Sequence, residues 1–370
     1  MNADLLGEPV PLKDLRARAF TIPTEQPESD GTLEWASTTI VVVEASAGGG
    51  HGIGYTYGHA TSADIVNTTL QPLVAGADVM SVAARWATMV AAVRNIGWAG
   101  VAAHAISAVD VALWDLKARL LGVPFVVAVD AVHDSTPIYG SGGFCSYDDH
   151  DLAAQLSGWV EAGIPRMKMK VGRRPEQDKH RIEVARGAIG EDTELFVDAN
   201  GAYPRKQALW WAARYAEAGV RWFEEPVSSD DLEGLRLLRD DGPPGLDIAA
   251  GEYGYTPSYF GHMLDAGAVD CLQADVTRCG GITGFLEVAG LCDARGIDLS
   301  AHCAPQVSAQ VATAVRRLRH LEYFHDHVRI ERMLFDGVLE PSEGGRLVPD
   351  RGRPGLGLEL KLADAERYAA

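Results

Sequence analysis

Two lysines separated by one residue begin a series of ionisable residues in the middle of the chain. Lys168 and Lys170 flank Met169 in the segment from Arg166 to Lys170. If this segment is a β-strand, the two ammonium groups point to the same side, because successive side chains alternate. Their repulsion and their burial would lower a lysine pKa, so that one becomes a base near neutral pH while the other stays cationic. The alternative is the solvated face of an edge strand, where lysine is common.

Further along the chain, six short apolar runs each end in an ionisable residue. In chain order these residues are Asp198, Glu224, Glu252, Asp275, His302 and Glu322. The intervals between them, counted from Lys170, are 20 to 28 residues. Such an interval accommodates one strand, one covering helix and two loops. The repeat therefore predicts a β/α barrel whose strand ends bring these side chains to a single site.

Three of the acidic residues follow successive predicted strands and have the chemistry of a magnesium site. Asp198, Glu224 and Glu252 offer the hard oxygen ligands that Mg²⁺ prefers, and without a cation they would repel one another. A Mg²⁺ ion held there would coordinate a substrate carboxylate, acidify the α-proton and stabilise the enediolate that follows its removal. In the same site, Asp275 would orient His302 and raise its basicity.

Length, charge and cysteine content narrow the class of protein. The chain has 370 residues, so a barrel of roughly 200 to 250 residues leaves room for a second domain. Its net charge of −18 argues against nucleic-acid binding, and a small anionic carboxylate substrate would need local positive charge from lysine or a metal. The five cysteines have no regular spacing, which predicts free thiols in a reducing compartment.

The N-terminus has no basic segment followed by an apolar core, and no apolar run approaches the roughly 20 residues of a membrane span. We therefore expect a cytoplasmic protein with no membrane association.

The first part of the chain does not follow the barrel repeat. Strands are predicted at Leu15 to Pro23 and Thr38 to Ala45, with a mobile loop from Pro23 to Gly31 between them. A glycine-rich hairpin segment from Gly48 to Tyr57 precedes a largely helical region. We predict an α+β domain over residues 1–130, a barrel over residues 131–325, and a C-terminal segment, 326–370, that returns to the first domain. The loop and the hairpin segment are predicted to close over the barrel mouth.

Taken together, these residues resemble the enolase superfamily, specifically its mandelate racemase-like branch. The segment Ala105 to Pro124 is similar to a family helix and turn, and Lys168-x-Lys170 with the six later residues has the family order and spacing. The muconate-cycloisomerase-like and enolase-like branches carry a lysine near the sixth strand, whereas none occurs here between Asp270 and Gly290. The fold that the resemblance implies is a modified (β/α)7β TIM-like barrel with an α+β capping domain formed by the N-terminal region and the C-terminal tail.

The resemblance also implies a role for each residue. Lys170 would be the base on one face of the substrate and His302 the base on the other, with superfamily chemistry of this kind stabilised by Mg²⁺. Lys168 would help neutralise the substrate carboxylate. Glu322 would donate a hydrogen bond to it, which requires a protonated carboxyl group.

Further residues are predicted to contact the substrate, and one acid is predicted to stay away from the metal. Asn200 resembles the family residue that contacts a substrate hydroxyl, although a turn amide is the alternative. Tyr55 and Tyr57 would cap the substrate, although a packed hairpin explains both tyrosines equally well. Glu225 should point away from Glu224 if the strand continues, because side chains alternate.

The implied activity is the dehydration of an acid sugar, an aldonate or aldarate, to a 2-keto-3-deoxy acid. The alternative is racemisation or epimerisation of a 2-hydroxy acid, which uses the same two bases in turn. A third hypothesis is a non-catalytic binding protein, which is disfavoured because buried charges are costly to hold without metal and substrate. The resemblance further implies a homo-oligomer.

Overall fold

The computed structural model describes residues 8–370, and its N-terminal part is a small α+β domain. Three antiparallel strands, β1 (Asp14–Ser29), β2 (Glu34–Ala47) and β3 (Gly50–Tyr57), form a sheet in the order β1-β2-β3. They are followed by α1 (Thr61–Ile65), a π-helical turn (Val66–Leu70), α2 (Gln71–Val74), α3 (Val82–Ala92), a 3₁₀ turn (Val93–Asn95), α4 (Val101–Leu121) and α5 (Phe125–Ala128).

The central helix of this domain, α4, lies directly on β3. A Cβ atom on Gly54 would lie 2.3 Å from the backbone oxygen of Ala108, and one on Gly52 would lie 2.4 Å from that of Ala112. Glycine is therefore required at both strand positions for the helix to approach this closely. The helix ends at Gly122, whose φ of +67° is the left-handed conformation that terminates many helices.

Eight parallel strands form the barrel that the spacing predicted. They are β4 (Thr136–Gly142), β5 (Arg166–Lys170), β6 (Glu194–Asp198), β7 (Val220–Glu224), β8 (Asp247–Ala250), β9 (Cys271–Ala274), β10 (Asp298–Ala301) and β11 (Leu318–Phe324). Neighbours in the chain are neighbours in the sheet, and pairing of β11 with β4 closes it. The (β/α)7β barrel and the antiparallel strands of the N-terminal domain are thereby confirmed.

Seven helices connect the barrel strands. They are α6 (Asp149–Glu161), α7 (Pro175–Ile189), α8 (Arg205–Glu217), α9 (Leu232–Asp241), α10 (Pro257–Asp265), α11 (Gly281–Arg295) and α12 (Pro305–Val311). For the last of these helices, the apolar pattern of the sequence predicts the bounds Ser308 to Leu318, which the structure does not match. The helix begins three residues earlier, at a proline suited to the first helical turn, and after Val311 the chain tightens into a 3₁₀ turn (Ala312–Ala314).

The segment Pro23 to Gly31, predicted to be a mobile loop, is mostly strand. The pairing of β1 with β2 is irregular between Pro23 and Glu28 and resumes at Glu28 and Ser29, so a bulge absorbs the intervening residues. The tip of this hairpin reaches the barrel. A Cβ atom on Gly31 would lie 2.3 Å from the Ala199 backbone oxygen, just beyond the end of β6.

After the barrel, the C-terminal residues fold back over both parts of the molecule. Helix α13 (His325–Leu334) precedes β12 (Phe335–Asp336), β13 (Arg346–Leu347), β14 (Glu359–Leu360), α14 (Leu362–Ala365) and a 3₁₀ turn (Glu366–Tyr368). Strand β13 pairs with β4, and the amide of Ala370 donates to the carbonyl of Ala19 in β1. Across residues 8–370, no helix is both long and apolar enough to cross a membrane. All five cysteines are free thiols, as predicted.

Candidate active site

A cavity of about 400 Å³ lies between the N-terminal domain and the mouth of the barrel. The barrel contributes five of the predicted site residues to its lining, namely Lys170, Asn200, Glu252, His302 and Glu322. The hairpin of β1 and β2 contributes Asp30, Leu33 and Trp35, of which Asp30 belongs to the predicted covering segment Pro23 to Gly31. The other covering segment, Gly48 to Tyr57, reaches the lining through Tyr57, whereas Gly48 packs against Leu120 and Val10.

Strand register places the metal-ligand candidates beside one another. Lys170 pairs with Asp198 across β5 and β6, and Asp198 pairs with Glu224 across β6 and β7. Glu252 follows the end of β8, the next strand. One carboxylate oxygen from each of Asp198, Glu224 and Glu252 lies within 4.8 Å of the other two, and all three side chains are buried. This set of hard oxygen donors fits Mg²⁺.

Lys168 is the fully buried centre of the ion-pair network. Its Nζ lies 2.5 Å from Glu224 Oε1, 2.7 Å from Glu322 Oε1 and 3.4 Å from Asp198 Oδ2. The Nζ of Lys170 lies 2.5 Å from Asp198 Oδ2. Both lysines point to the same side of β5, as strand alternation predicted.

The prediction that one of these lysines has a lowered pKa is wrong for this arrangement. Burial does disfavour the charged form of Lys170, but neighbouring carboxylates, Asp198 first, outweigh burial and raise its pKa. For Lys168 the same holds, with Glu224 and Glu322 the main opposing charges. The sequence argument counted the repulsion between two ammonium groups and omitted the carboxylates that neutralise them.

His302 and Asp275 form the predicted pair. The Nδ1 of His302 lies 2.7 Å from Asp275 Oδ2, while the backbone and hydroxyl groups of Thr277 donate to Asp275 Oδ1, each at 2.7 Å. Burial would raise the pKa of Asp275, but the hydrogen bond from His302 and the charge of Arg278 lower it to about 2. The carboxylate is therefore ionised and fixes the imidazole orientation, with Nε2 2.9 Å from Glu252 Oε2.

Glu322 is in the site, but its predicted protonation state is wrong for this arrangement. Its Oε1 accepts a hydrogen bond of 2.5 Å from the Ser141 hydroxyl and lies 2.7 Å from Lys168 Nζ. Its Oε2 lies 3.2 Å from His302 Nε2. Burial favours the neutral acid, but the charges of Lys168 and His302 hold the pKa of Glu322 below its usual range. The group is therefore an ionised acceptor rather than a donor.

The chain turns sharply after β6 and after β7. The first turn contains Asn200 and the second contains Glu225. Asn200 has a φ of +46°, lines the cavity, and has no hydrogen-bond partner for its buried Oδ1 within residues 8–370. Glu225 was predicted to point away from the carboxylates. Its φ of +40° ends the strand alternation, and burial followed by the charges of Glu252 and Asp198 raises its pKa. Glu225 is buried, but it is not one of the three carboxylates that converge, which agrees with leaving it out of the metal-ligand set.

Tyr55 does not reach the cavity, so the predicted substrate contact is corrected. Its side chain is fully buried, its hydroxyl donates to Glu331 Oε1 at 2.6 Å, and its ring stacks on Phe335. Tyr57, two residues later on the same face of β3, lines the cavity and stacks on His327 at 3.4 Å between ring centroids. Of the two tyrosines that the sequence proposed as caps, Tyr57 lies at the cavity and Tyr55 does not.

Cys303 and His104 were not assigned to the site by sequence, and both line the cavity. Cys303 follows His302, and alternation along a strand would direct it away, but its φ of +49° keeps both side chains at the cavity. His104 is on α4, and only the packing of that helix against the barrel brings it there. Adjacency to His302 was a sequence signal for Cys303, whereas His104 had none.

Comparisons with known proteins agree with this geometry. Residues 16–127 match the family description "Mandelate racemase / muconate lactonizing enzyme, N-terminal domain", and residues 151–365 match "Enolase C-terminal domain-like". The 3,6-anhydro-alpha-L-galactonate cycloisomerase of Streptomyces coelicolor is 29% identical over 372 residues, covering 97% of this chain and 99% of that protein.

Two solved structures are similar over nearly the whole chain. A mandelate racemase/muconate lactonizing enzyme-like protein from Rubrobacter xylanophilus is 58% identical with a TM-score of 0.95, covering 97% of this chain and all of that one. The L-talarate/galactarate dehydratase of Salmonella typhimurium, liganded with Mg and L-lyxarohydroxamate, is 26% identical with a TM-score of 0.89, covering all of this chain and 95% of that one.

Proposed function

The chain belongs to the mandelate racemase/muconate lactonizing enzyme family of the enolase superfamily, and on that premise we propose that it dehydrates an acid sugar to a 2-keto-3-deoxy acid. The observation that carries the proposal is the convergence of two basic side chains and a buried carboxylate triad on one covered cavity. Lys170 lies at the end of β5, and His302 follows β10. These two strands are three positions apart around the eight-stranded barrel, in which strands four positions apart are diametrically opposite. The two side chains therefore approach a bound substrate from different sides.

Each residue has a distinct part in this reaction. When bound to Asp198, Glu224 and Glu252, Mg²⁺ would neutralise their charge, polarise the substrate carboxylate and stabilise the enediolate. With Asp198 bound to the metal, its carboxylate would stabilise the ammonium form of Lys170 less strongly, so that Lys170 would release that proton to solvent and could then remove the α-proton. His302, held by Asp275, would then protonate the departing β-hydroxyl from the other side. Covering of the cavity by the β1–β2 hairpin would exclude water during these steps.

The relatives support this chemistry and also define its alternative. The similar proteins include an L-talarate/galactarate dehydratase and a 3,6-anhydro-alpha-L-galactonate cycloisomerase, whose names support an acid-sugar substrate for this chain. Racemisation or epimerisation remains the second candidate function, because Lys170 and His302 could exchange the α-proton in turn without loss of a hydroxyl group.

Incubation with a library of acid sugars distinguishes the two reactions. A dehydratase gives a 2-keto-3-deoxy acid, which semicarbazide detects, whereas a racemase or epimerase incorporates solvent deuterium into an inverted product and forms no keto acid. Binding of acid sugars with neither product nor α-proton exchange would favour the non-catalytic hypothesis and contradict the proposal.

The cavity wall that carries Arg278 and His104 favours a substrate with a neutral, hydroxylated tail. Arg278, the cation on that wall, is already engaged, with its Nε 3.4 Å from Asp275 Oδ2 and its Nη1 3.1 Å from the Glu252 carbonyl oxygen. The Nδ1 of His104 lies 2.8 Å from the Tyr57 carbonyl oxygen, so Nδ1 carries the proton. Burial and then Arg278 lower the pKa of His104 to about 4, which leaves Nε2 as a neutral acceptor for a hydroxyl group.

We therefore expect an aldonate to be preferred over the aldarate of the same configuration by about 100-fold in kcat/KM, because a second carboxylate would be buried without a free cation.

Replacing His104 with alanine should raise KM about tenfold for the aldonate, which is the effect of losing one hydrogen bond to substrate. Steady-state kinetics measure both values. His262→Ala, at an exposed position on α10, is the matched control. A preference for the diacid would contradict the neutral-tail proposal without affecting the proposed reaction.

The tip of the β1–β2 hairpin provides a separate test of substrate enclosure. Gly31→Ala should raise KM several-fold and leave Mg²⁺ affinity unchanged, because a methyl group there would displace the hairpin from the barrel backbone. Gly187→Ala, in α7 with no atom near the added methyl group, is the control. Unchanged KM in the Gly31 variant would show that the hairpin does not restrict the substrate.

Family membership also leads us to propose a homo-oligomer, which sedimentation or light scattering will test. The five free thiols support a reducing compartment as the site of action.

A further inference from the structure

Three chemically different metal-ligand atoms converge beside the carboxylate triad, where β10 and β11 end. Cys303 Sγ lies 3.3 Å from His302 Nε2 and 3.4 Å from Glu322 Oε2, and the latter two atoms are 3.2 Å apart. With Zn–N and Zn–O bonds of about 2.1 Å and a Zn–S bond of about 2.3 Å, a tetrahedral ion separates its ligand atoms by about 3.4 to 3.6 Å. The three atoms need to move by only a few tenths of an ångström to fit this geometry.

Apart from the contact of His302 Nε2 with Glu252 Oε2 of the magnesium triad, 2.9 Å away, the surrounding contacts leave these three atoms available. Asp275 binds Nδ1 of His302 and so directs Nε2 outward, which is the carboxylate–histidine arrangement common behind zinc ligands. Ser141 and Lys168 occupy Oε1 of Glu322, so Oε2 remains for another partner.

Backbone conformation brings the sulfur to the same place. Cys303 and the next residue, Ala304, both have positive φ angles, +49° and +44°, which is rare for residues with a side chain. The turn they form is what keeps Cys303 on the cavity side beside His302. The Cys303 side chain is 3% exposed, and it lines the cavity together with His302 and Glu322.

We propose that His302, Cys303 and Glu322 bind Zn²⁺ at a site distinct from the magnesium triad. A substrate oxygen or a water from the cavity would take the fourth position. Formation of the Zn–S bond releases the thiol proton to solvent, and any proton on Nε2 of His302 leaves in the same way, with no change of oxidation state. Thiolate and imidazole ligands select Zn²⁺ over Mg²⁺, whereas the all-oxygen triad has the opposite preference.

Zinc at this site would inhibit the enzyme, and this consequence rests on the proposed function. The ion would occupy the nitrogen of His302 that transfers the proton, and it would also engage Glu322. Binding itself does not depend on that function, because the ligand geometry is present whatever reaction the site performs.

Cobalt(II) is the probe for the binding experiment, since a cobalt–thiolate bond gives a near-ultraviolet charge-transfer band that oxygen ligands do not give. We expect Mg²⁺-saturated protein to develop this band with one equivalent of cobalt and to lose it when Zn²⁺ is added. Cys303→Ser should abolish the band, whereas Cys145→Ser, which changes a thiol outside the cluster, should keep it. Retention of the band in Cys303→Ser would overturn the proposal.

Equilibrium dialysis of Zn²⁺ against the same proteins gives an answer that does not require turnover. Cys303→Ser, and Cys303→Ala as a second variant, should bind Zn²⁺ at least about tenfold more weakly than the unaltered chain in excess Mg²⁺. A thermal shift with Mg²⁺ verifies that each variant is folded. If Asp198→Asn abolishes zinc binding and the Cys303 variants do not, Zn²⁺ occupies the triad and the proposed site is refuted.

If cobalt binding depends on Cys303 but no acid sugar is turned over, the site stands and the proposed function fails. If turnover occurs and Zn²⁺ inhibits the Cys303 variants and the unaltered chain equally, each relative to its own zinc-free rate, the inhibitory role fails.

Discussion

Replacing Lys170 with alanine or His302 with asparagine is expected to lower kcat/KM for the acid-sugar substrate by about 10³-fold or more, since a positioned general acid or base contributes about 10² to 10⁴. Lys170 would no longer accept the α-proton, and His302 would no longer supply the acid for the leaving hydroxyl. Steady-state kinetics with semicarbazide detection of the keto acid measure the loss.

The two variants are expected to differ in one respect. For the substrate configuration whose α-proton faces Lys170, His302→Asn should still exchange that proton while forming no keto acid. With the same substrate, Lys170→Ala should lose both proton exchange and keto-acid formation. Lys206→Ala, at an exposed position on α8, controls for loss of a lysine charge. Near-normal keto-acid formation by both active-site variants would rule out the assigned roles.

The second large effect concerns the metal. Chelation should abolish turnover and Mg²⁺ should restore it. Without a cation, the Asp198 carboxylate keeps Lys170 protonated, and the substrate carboxylate meets three buried carboxyl groups. Glu224→Gln and Asp198→Asn should each weaken Mg²⁺ binding at least about tenfold by isothermal titration, since each removes one charged ligand.

Glu183 is at an exposed position on α7, outside the site. The control variant Glu183→Gln also removes one negative charge and should leave Mg²⁺ affinity unchanged. Full turnover by rigorously metal-free protein would contradict the metal requirement. It would leave the barrel and its strand-end residues unaffected.

The barrel was predictable because the length of a strand–helix repeat is physically constrained. Intervals of 20 to 28 residues between ionisable residues located the strand ends, and the register then placed Lys170, Asp198 and Glu224 side by side. Parallel strands present their carboxyl ends at one face, so the period alone was sufficient to gather these side chains.

Features that depend on individual backbone angles were not predictable in this way. Alternation correctly placed Lys168 with Lys170, but it does not extend to Glu225 and Cys303, where positive φ angles follow the strand ends. It also could not distinguish Tyr55 from Tyr57, which share a strand face although Tyr57 lines the cavity and Tyr55 does not.

Protonation states required the three-dimensional distances. Glu322 is ionised because Lys168 and His302 lie within hydrogen-bonding distance of it, and the three residues are far apart in the chain. The extension of β1 beyond Pro23 depended on a bulge that no local composition indicated.

Exchange of the substrate α-proton in D₂O, followed by proton NMR, tests the two-base account most directly. With the unaltered chain, a substrate and its α-epimer should both exchange, each through the base on its own side. Lys170→Ala should abolish exchange of one configuration only, and His302→Asn that of the other only. If both configurations continue to exchange in both variants, neither residue is the base, and the account of this site is contradicted.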